Sequence, residues 1–142
     1  AGAVSTLDAA DLTPEQVGAA VHDLTGGGAH VSVDAIGGTA SSLASLLGLR
    51  RRGRHVQVGL MAGDDARAAI AYDRVVAWEL DVLGSHGMAT ADYPAMLELV
   101  ADGRLDVGAL VQRTVSLDEA VDFLVDPDAT VPGITVIDRF AP

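Results

Sequence analysis

Three short apolar runs, HVSVDAIGG, RHVQVGL and LDVLGSHG, each carry glycine at or next to their last residue, and this constrains the fold more than any other feature of the chain. Their centres are apolar and β-branched, as strands buried in a parallel sheet should be. Before and between them the apolar period changes from two to nearly four. Thr13-Pro14-Glu15-Gln16 reads as a helix start: Thr13 can cap, Pro14 suits the first helical position, and Gln16 completes a capping box. Val17, Ala20, Val21 and Leu24 mark the buried face of that helix, and Gly26 to Gly28 stop it. A second helix is predicted from about Thr39 to Leu49, with Leu43, Leu46 and Leu47 inward and Gly53 as its breaker. With residues 3–7, AVSTL, as a further short strand, the order is strand, helix, strand, helix, strand. That alternation predicts an α/β fold with a parallel sheet, flanking helices and right-handed crossovers.

Downstream, residues 61–74 read as a polar, Ala-rich loop with a short strand or helix, and 75–79 as either helical or extended. Residues 80–87 form the third glycine-terminated strand. A helix is expected from about Asp92 to Asp102 with Tyr93, Met96, Leu97 and Val100 inward. Residues 110–115 read as extended, and Ser116-Leu117-Asp118-Glu119 is a second capping box, whose helix buries Ala120, Phe123 and Leu124. A loop with Pro127 and Pro132 leads to a last strand, GITVIDRF. The expected organisation is a sheet domain over residues 1–90 and a helix-strand return segment over 91–142.

Charge narrows the partners. The chain carries 20 acids against 9 arginines and no lysine, for a net charge of −11. It therefore has no broad electrostatic footprint for nucleic acid and should avoid anionic membrane surfaces. No apolar run is long enough to cross a bilayer, and no secretory signal is visible. The absence of cysteine rules out disulfides and thiolate zinc sites within these residues and fits a cytoplasmic protein. His22, His30, His55 and His86 show no metal-site spacing and read as structural or exposed. Arg50, Arg51, Arg52 and Arg54 cluster where the second helix should end, a place where the helix dipole favours cations. An anion site is the other reading of that cluster.

The glycines do not make a phosphate loop. Gly37-Gly38-Thr39-Ala40-Ser41 lacks the G-x-G-x-x-G spacing, and Gly26-Gly27-Gly28 follows a helix and precedes a strand. Without lysine there is no P-loop. The three strand ends are nonetheless small: Ala35-Ile36-Gly37, Val58-Gly59-Leu60 and Gly84-Ser85-His86-Gly87. In an open parallel sheet ligands sit outside the carboxyl ends of the strands, where glycine lets a flat ring or ribose approach the backbone. Three ordinary strand-to-loop turns are the alternative. Asp34 could contact a ribose, hold a neighbouring loop, or cap the following helix.

Taken in order, AGAVSTLDA, LTGGGAHVSVDAIGG, LRRRGRHVQVGL, LDVLGSHG, MLELVADGRLD, VSLDEAVDFL and GITVIDRF resemble the C-terminal part of the medium-chain, zinc-type alcohol dehydrogenases. The resemblance implies a partial Rossmann-type sheet beginning near that fold's third strand, with VSVDAIGG as its fourth. It implies that Asp34, Ile36 and Gly37 lie toward the adenine side of NAD or NADP. Val58, Gly59 and Leu60 would line the nicotinamide ring, and Ser85, His86 and Gly87 would offer backbone groups near its carboxamide. Where the family often has an arginine for the pyrophosphate, this chain has Ile134, with Arg139 a few residues later. Zinc, the fingerprint loop and the pocket for a small alcohol or aldehyde belong to parts of the family upstream of this region. The expectation is then a fragment of a longer enzyme, in keeping with a start at AGAVST without Met. Alone it would be inactive, and it would pair as a homodimer through the strand at 80–86. The competing readings are a stand-alone α/β binding or interaction module and another nucleotide-using Rossmann enzyme such as a methyltransferase.

Overall fold

The computed structural model describes residues 2–125 and 133–140, with the side chain of Leu124 outside the described set, as are Pro127 and Pro132. Residues Gly2–Gly87 form one compact unit, and the residues from Met88 onward form a second.

In the first unit, α1 (Pro14–Thr25) begins at the expected capping box. The Gln16 amide donates to the Thr13 hydroxyl at 3.3 Å, and the Thr13 amide donates to Oε1 of Gln16 at 2.8 Å. The helix ends where Gly26 turns left-handed at φ +69°. Thr13→Ala should lower stability by about 1 kcal/mol through loss of this cap. Thermal unfolding checks it, and an unchanged midpoint would refute a capping role.

Next in the chain come β1 (Ala29–Asp34), α2 (Thr39–Leu47), β2 (Leu49–Gln57), α3 (Tyr72–Trp78) and β3 (Asp81–Gly84). The three strands are parallel in the order β1-β2-β3. Within segment 61–74, residues Gly63–Arg67 make a 3₁₀ turn whose Asp65 carboxylate accepts from the Thr39 amide and hydroxyl at the start of α2. Leu46, Leu49 and Leu80 form the buried core, with Ala29, Val75 and Trp78 packed against it.

Several expectations are corrected. Residues 3–7 form no strand, since no described strand lies beside them to complete a ladder. On α1 the tight contact is Gly18, where a Cβ would sit 2.7 Å from Cβ of Leu47 on α2. The helices touch there, so Leu24 on the last turn overshoots the contact and is 58% exposed. The arginine cluster lies not at a helix end but on β2, in a bulged stretch where Arg52 itself is left-handed at φ +58°. Its side chains tie β2 to the segment entering β3. Arg51 donates to the Ala77 carbonyl, Arg52 pairs with Glu79 at 2.8 Å, and Arg54 pairs with Asp81 at 2.9 Å. Arg51 and Arg74 also lie over the Trp78 ring, at 5.2 and 3.2 Å from its centroid.

The sheet is covered on one face. Ser32, Asp34, His55 and Gln57 share that face, beside α1 and α2. On the other face Val31 and Val33 are 55% and 59% exposed.

In the second unit, α4 (Tyr93–Ala101) precedes β4 (Val111–Ser116), α5 (Leu117–Val125) and β5 (Ile134–Arg139), and β4 and β5 pair in parallel. The α4 seam is Met96, Leu99 and Val100, spaced i, i+3, i+4. Tyr93 and Leu97 fall off that seam and are exposed. The second capping box forms, with the Ser116 amide donating to Glu119 at 2.7 Å and the Glu119 amide to the Ser116 hydroxyl at 3.2 Å. Val115 and Ala120 are buried, and Arg113 lies over Phe123 at 4.4 Å.

Candidate functional site at the strand ends

Asp34 closes β1 and organises the loop after it. Its Oδ1 accepts from the amides of Ile36 at 2.8 Å and Gly37 at 3.2 Å, and its Oδ2 accepts from the Ser41 hydroxyl at 3.0 Å and the Gln57 amide at 2.9 Å. The side chain is shut away from solvent, the residue being 3% exposed. Burial by itself pushes its pKa up, but the hydrogen bonds from Gln57, Ile36, Gly37 and Ser41 outweigh burial and hold it below the usual carboxylate value. The Asp34 backbone carbonyl accepts from Val58 at 2.9 Å and Gly59 at 2.8 Å, drawing in the loop after β2. Of the three roles open to Asp34, the geometry is that of holding the loops.

The network continues beneath the loops. Gln57 also donates to the Gly59 carbonyl at 3.0 Å, and its Oε1 faces Nε2 of His55 at 3.2 Å. Nδ1 of His55, a residue only 1% exposed, faces the Ser32 hydroxyl at 3.1 Å. The parallel register produces this arrangement by pairing Ser32 with His55 and Asp34 with Gln57. Sequence reasoning singled out neither Ser32, Ser41 nor Gln57, and left His55 without a role. The signal was there as two polar residues spaced i, i+2 on each of two neighbouring strands.

The loops after β1 and β2 cross in backbone contact. A Cβ on Gly37 would lie 2.8 Å from the Gly59 carbonyl carbon, and one on Gly59 would lie 2.6 Å from that of Ile36. These glycines serve the packing of one loop on the other.

A cavity of about 400 Å³ opens at the carboxyl ends of β2 and β3, lined by Val58, Gly59, Leu60, Ser85 and His86 together with Gln57, Met61 and Gly84. Five of the residues singled out from sequence therefore meet in one cavity. Asp34 lies behind it, Gly37 packs against Gly59, and Gly87, at φ +58°, follows His86 without lining the cavity. Ile36 is 81% exposed and lines a separate cavity of about 420 Å³ between β1, α1 and α2. Among the described residues no group of three or more His, Cys, Asp or Glu side chains is placed to hold a metal ion. No described helix is long and apolar enough to cross a membrane.

A parallel sheet with helices packed on one face, opening on a cavity at the carboxyl ends of adjacent strands, defines a Rossmann-like α/β domain. The chain belongs to the zinc-binding dehydrogenase family, whose model matches residues 1–102. It is 33% identical over 126 residues to "Probable alcohol dehydrogenase adh" of Mycobacterium tuberculosis, covering 88% of this chain and 33% of the relative. It is 31% identical over 121 residues to erythritol/L-threitol dehydrogenase of Mycolicibacterium smegmatis, covering 83% of this chain and 31% of the relative. The chain thus spans about a third of the length of these curated relatives. Among solved structures, the alcohol dehydrogenase of Aeropyrum pernix superposes with a TM-score of 0.75 at 26% identity, over 96% of this chain and 38% of that one. A zinc-binding dehydrogenase of Sinorhizobium meliloti, solved bound to NADP, superposes with a TM-score of 0.78 at 26% identity, over 96% of this chain and 40% of that one.

Proposed function

We propose that this chain supplies the strand-end side of a nicotinamide coenzyme site in an alcohol dehydrogenase-like oxidoreductase acting on small alcohols or aldehydes. The observation that carries the reading is the cavity shared by Val58–Leu60 and Ser85–His86 at the ends of β2 and β3. Its volume lies within the range of small-molecule sites, and its walls are chiefly backbone and apolar side chains, suited to a flat ring with a polar substituent. Val58, Gly59 and Leu60 would hold the nicotinamide face, with Ser85, His86 and Gly87 near the carboxamide and Ile36 and Gly37 toward the adenosine. Asp34 would act from behind, by fixing the loops.

The bound coenzyme supplies hydride chemistry, and the protein supplies position and electrostatics. The described residues do not fit two further requirements. No cluster suits zinc. The start of α2, where a pyrophosphate could sit, already receives the Asp65 carboxylate. The 142 residues alone should therefore be inactive, and zinc and the substrate pocket belong to a longer parent. Pairing of two copies through the β3 edge and a cytoplasmic location complete the reading.

Titrating the isotope-labelled chain with reduced nicotinamide mononucleotide should shift the amides of Val58–Leu60 and Ser85–Gly87. Adenosine monophosphate should instead shift Ile36 and Gly37. No alcohol-dependent formation of reduced coenzyme is expected from the chain. Absence of any localised shift, or turnover by the isolated chain, would overturn the reading.

A further inference from the structure

We propose that Gln57 is a positioning residue of the coenzyme cavity: oriented by Asp34, its side-chain amide sets the direction of the Gly59–Leu60 peptide. The proposal deepens the coenzyme reading above and rests on it. Donor and acceptor capacities fix the orientation of each group in turn. An ionised Asp34 can only accept, so the group facing its Oδ2 at 2.9 Å must be the NH₂ of Gln57. The same NH₂ donates to the Gly59 carbonyl at 3.0 Å and draws that oxygen inward. Because a trans peptide points its C=O and N–H in opposite directions, the Leu60 amide faces away from the network. Oε1 of Gln57 is then left facing His55, so Nε2 of His55 must carry the proton. In the neutral ring Nδ1 then accepts from the Ser32 hydroxyl. One carboxylate therefore orients Gln57, His55 and Ser32 in series, and a branch of that orientation ends on a backbone carbonyl at the cavity wall.

This directionality separates a positioning role from simple packing. In Asp34→Asn the side-chain oxygen stays with the two backbone amides of Ile36 and Gly37, which leaves the Asn NH₂ against the Gln57 NH₂. Two donors cannot share that position, and the relief is a flip of the Gln57 amide. The flip turns NH₂ toward Nε2 of His55, which must then accept, so the proton moves to Nδ1 and is donated to Ser32. It also removes the donor from the Gly59 carbonyl.

The test is the ring ¹⁵N pattern of His55 in the 142-residue chain, in alkaline solution where imidazole is neutral, together with the Gly59 carbonyl shift. The wild type should carry its proton on Nε2 and Asp34→Asn on Nδ1, with the Gly59 carbonyl resonance moving in the variant. A wild-type proton on Nδ1, a reading that needs no variant to fold, would overturn the relay. So would an Asp34→Asn ring that stays protonated on Nε2. Gln57→Leu provides the ligand arm. It should weaken reduced nicotinamide mononucleotide by about tenfold, the worth of one ordinary hydrogen bond, and leave adenosine monophosphate unchanged, because Asp34 keeps its bonds to Ile36 and Gly37. Equal weakening of both ligands would reveal a general structural defect and refute the positioning role. If the wild-type chain binds neither ligand, the coenzyme reading fails, while the tautomer and carbonyl shifts still decide the relay.

Discussion

Gly59→Ala should destabilise the chain by about 3 kcal/mol, the upper end of what overpacking a fitted interior costs. A methyl group there would land on the Gly37 nitrogen and lie 2.6 Å from the Ile36 carbonyl carbon and 2.8 Å from that of Ala35. All three obstacles are backbone, so no rotamer change relieves them. The loops after β1 and β2 must separate, which strains the bonds from Val58 and Gly59 to the Asp34 carbonyl. Gly37→Ala injures the same crossing from the other side and adds the cost of φ +86° for a residue with a Cβ. Because both changes part the same two segments, the double variant should lose less than the sum of the singles. Gly84→Ala is the contrasting control: a Cβ there meets nothing within 4 Å, and stability should hardly change. Urea unfolding of the four variants beside the wild type checks these values. A Gly59→Ala loss no larger than that of Gly84→Ala would mean that the loops do not depend on this crossing.

The same crossing marks the limit of what the sequence discloses. Glycine at the strand ends was visible, and it left two readings open, a ligand site or three ordinary strand-to-loop turns. Whether those glycines admit a ligand or another stretch of backbone depends on which loops meet, a relation between residues far apart in sequence that no local pattern encodes. The capping boxes at Thr13 and Ser116 were legible because each closes within a single helical turn. Helix faces were legible only approximately. Gly18 rather than a large side chain makes the contact between α1 and α2, and apolar periodicity does not register glycine. The arginine cluster misled for a related reason. A basic run after a helical pattern suggests a helix end, but Glu79 and Asp81, from which those arginines draw their charge partners, become neighbours only through parallel pairing of β2 and β3. His55 and Gln57 belong to the same class: each looks like an isolated polar residue in an apolar strand until Ser32 and Asp34 are placed beside them.

Asp34→Ala should be more damaging still, by about 4 kcal/mol, and the acid limb of the stability profile should trace to the same carboxylate. The four hydrogen bonds to that carboxylate are of two kinds. The single Ser41 hydroxyl proton can turn to the Gly38 carbonyl, and the Gln57 amide also donates to Gly59, so both retain a partner when the carboxylate is gone. The amides of Ile36 and Gly37 have their bonds to Oδ1 and lose them outright. Two part-buried donors left unsatisfied cost about 1–3 kcal/mol each. The depressed pKa of Asp34 gives the sign of the pH effect. A carboxyl whose pKa is lower folded than unfolded contributes its full stabilisation above the unfolded-state value of about 3.9 and loses it as pH falls through the folded value. Wild-type unfolding midpoints should therefore decline from about pH 5 downward. Asp34→Asn, which cannot titrate, should begin lower and decline less steeply. Glu15, Asp65, Glu79 and Glu119 are also held below their usual values, by the Glu15 amide itself, Thr39, Arg52 and Ser116 respectively. They lie in solvent, where screening keeps their share of the acid slope small. Parallel acid slopes in the wild type and Asp34→Asn would place the sensitivity in those exposed carboxylates and remove Asp34 from the centre of the site.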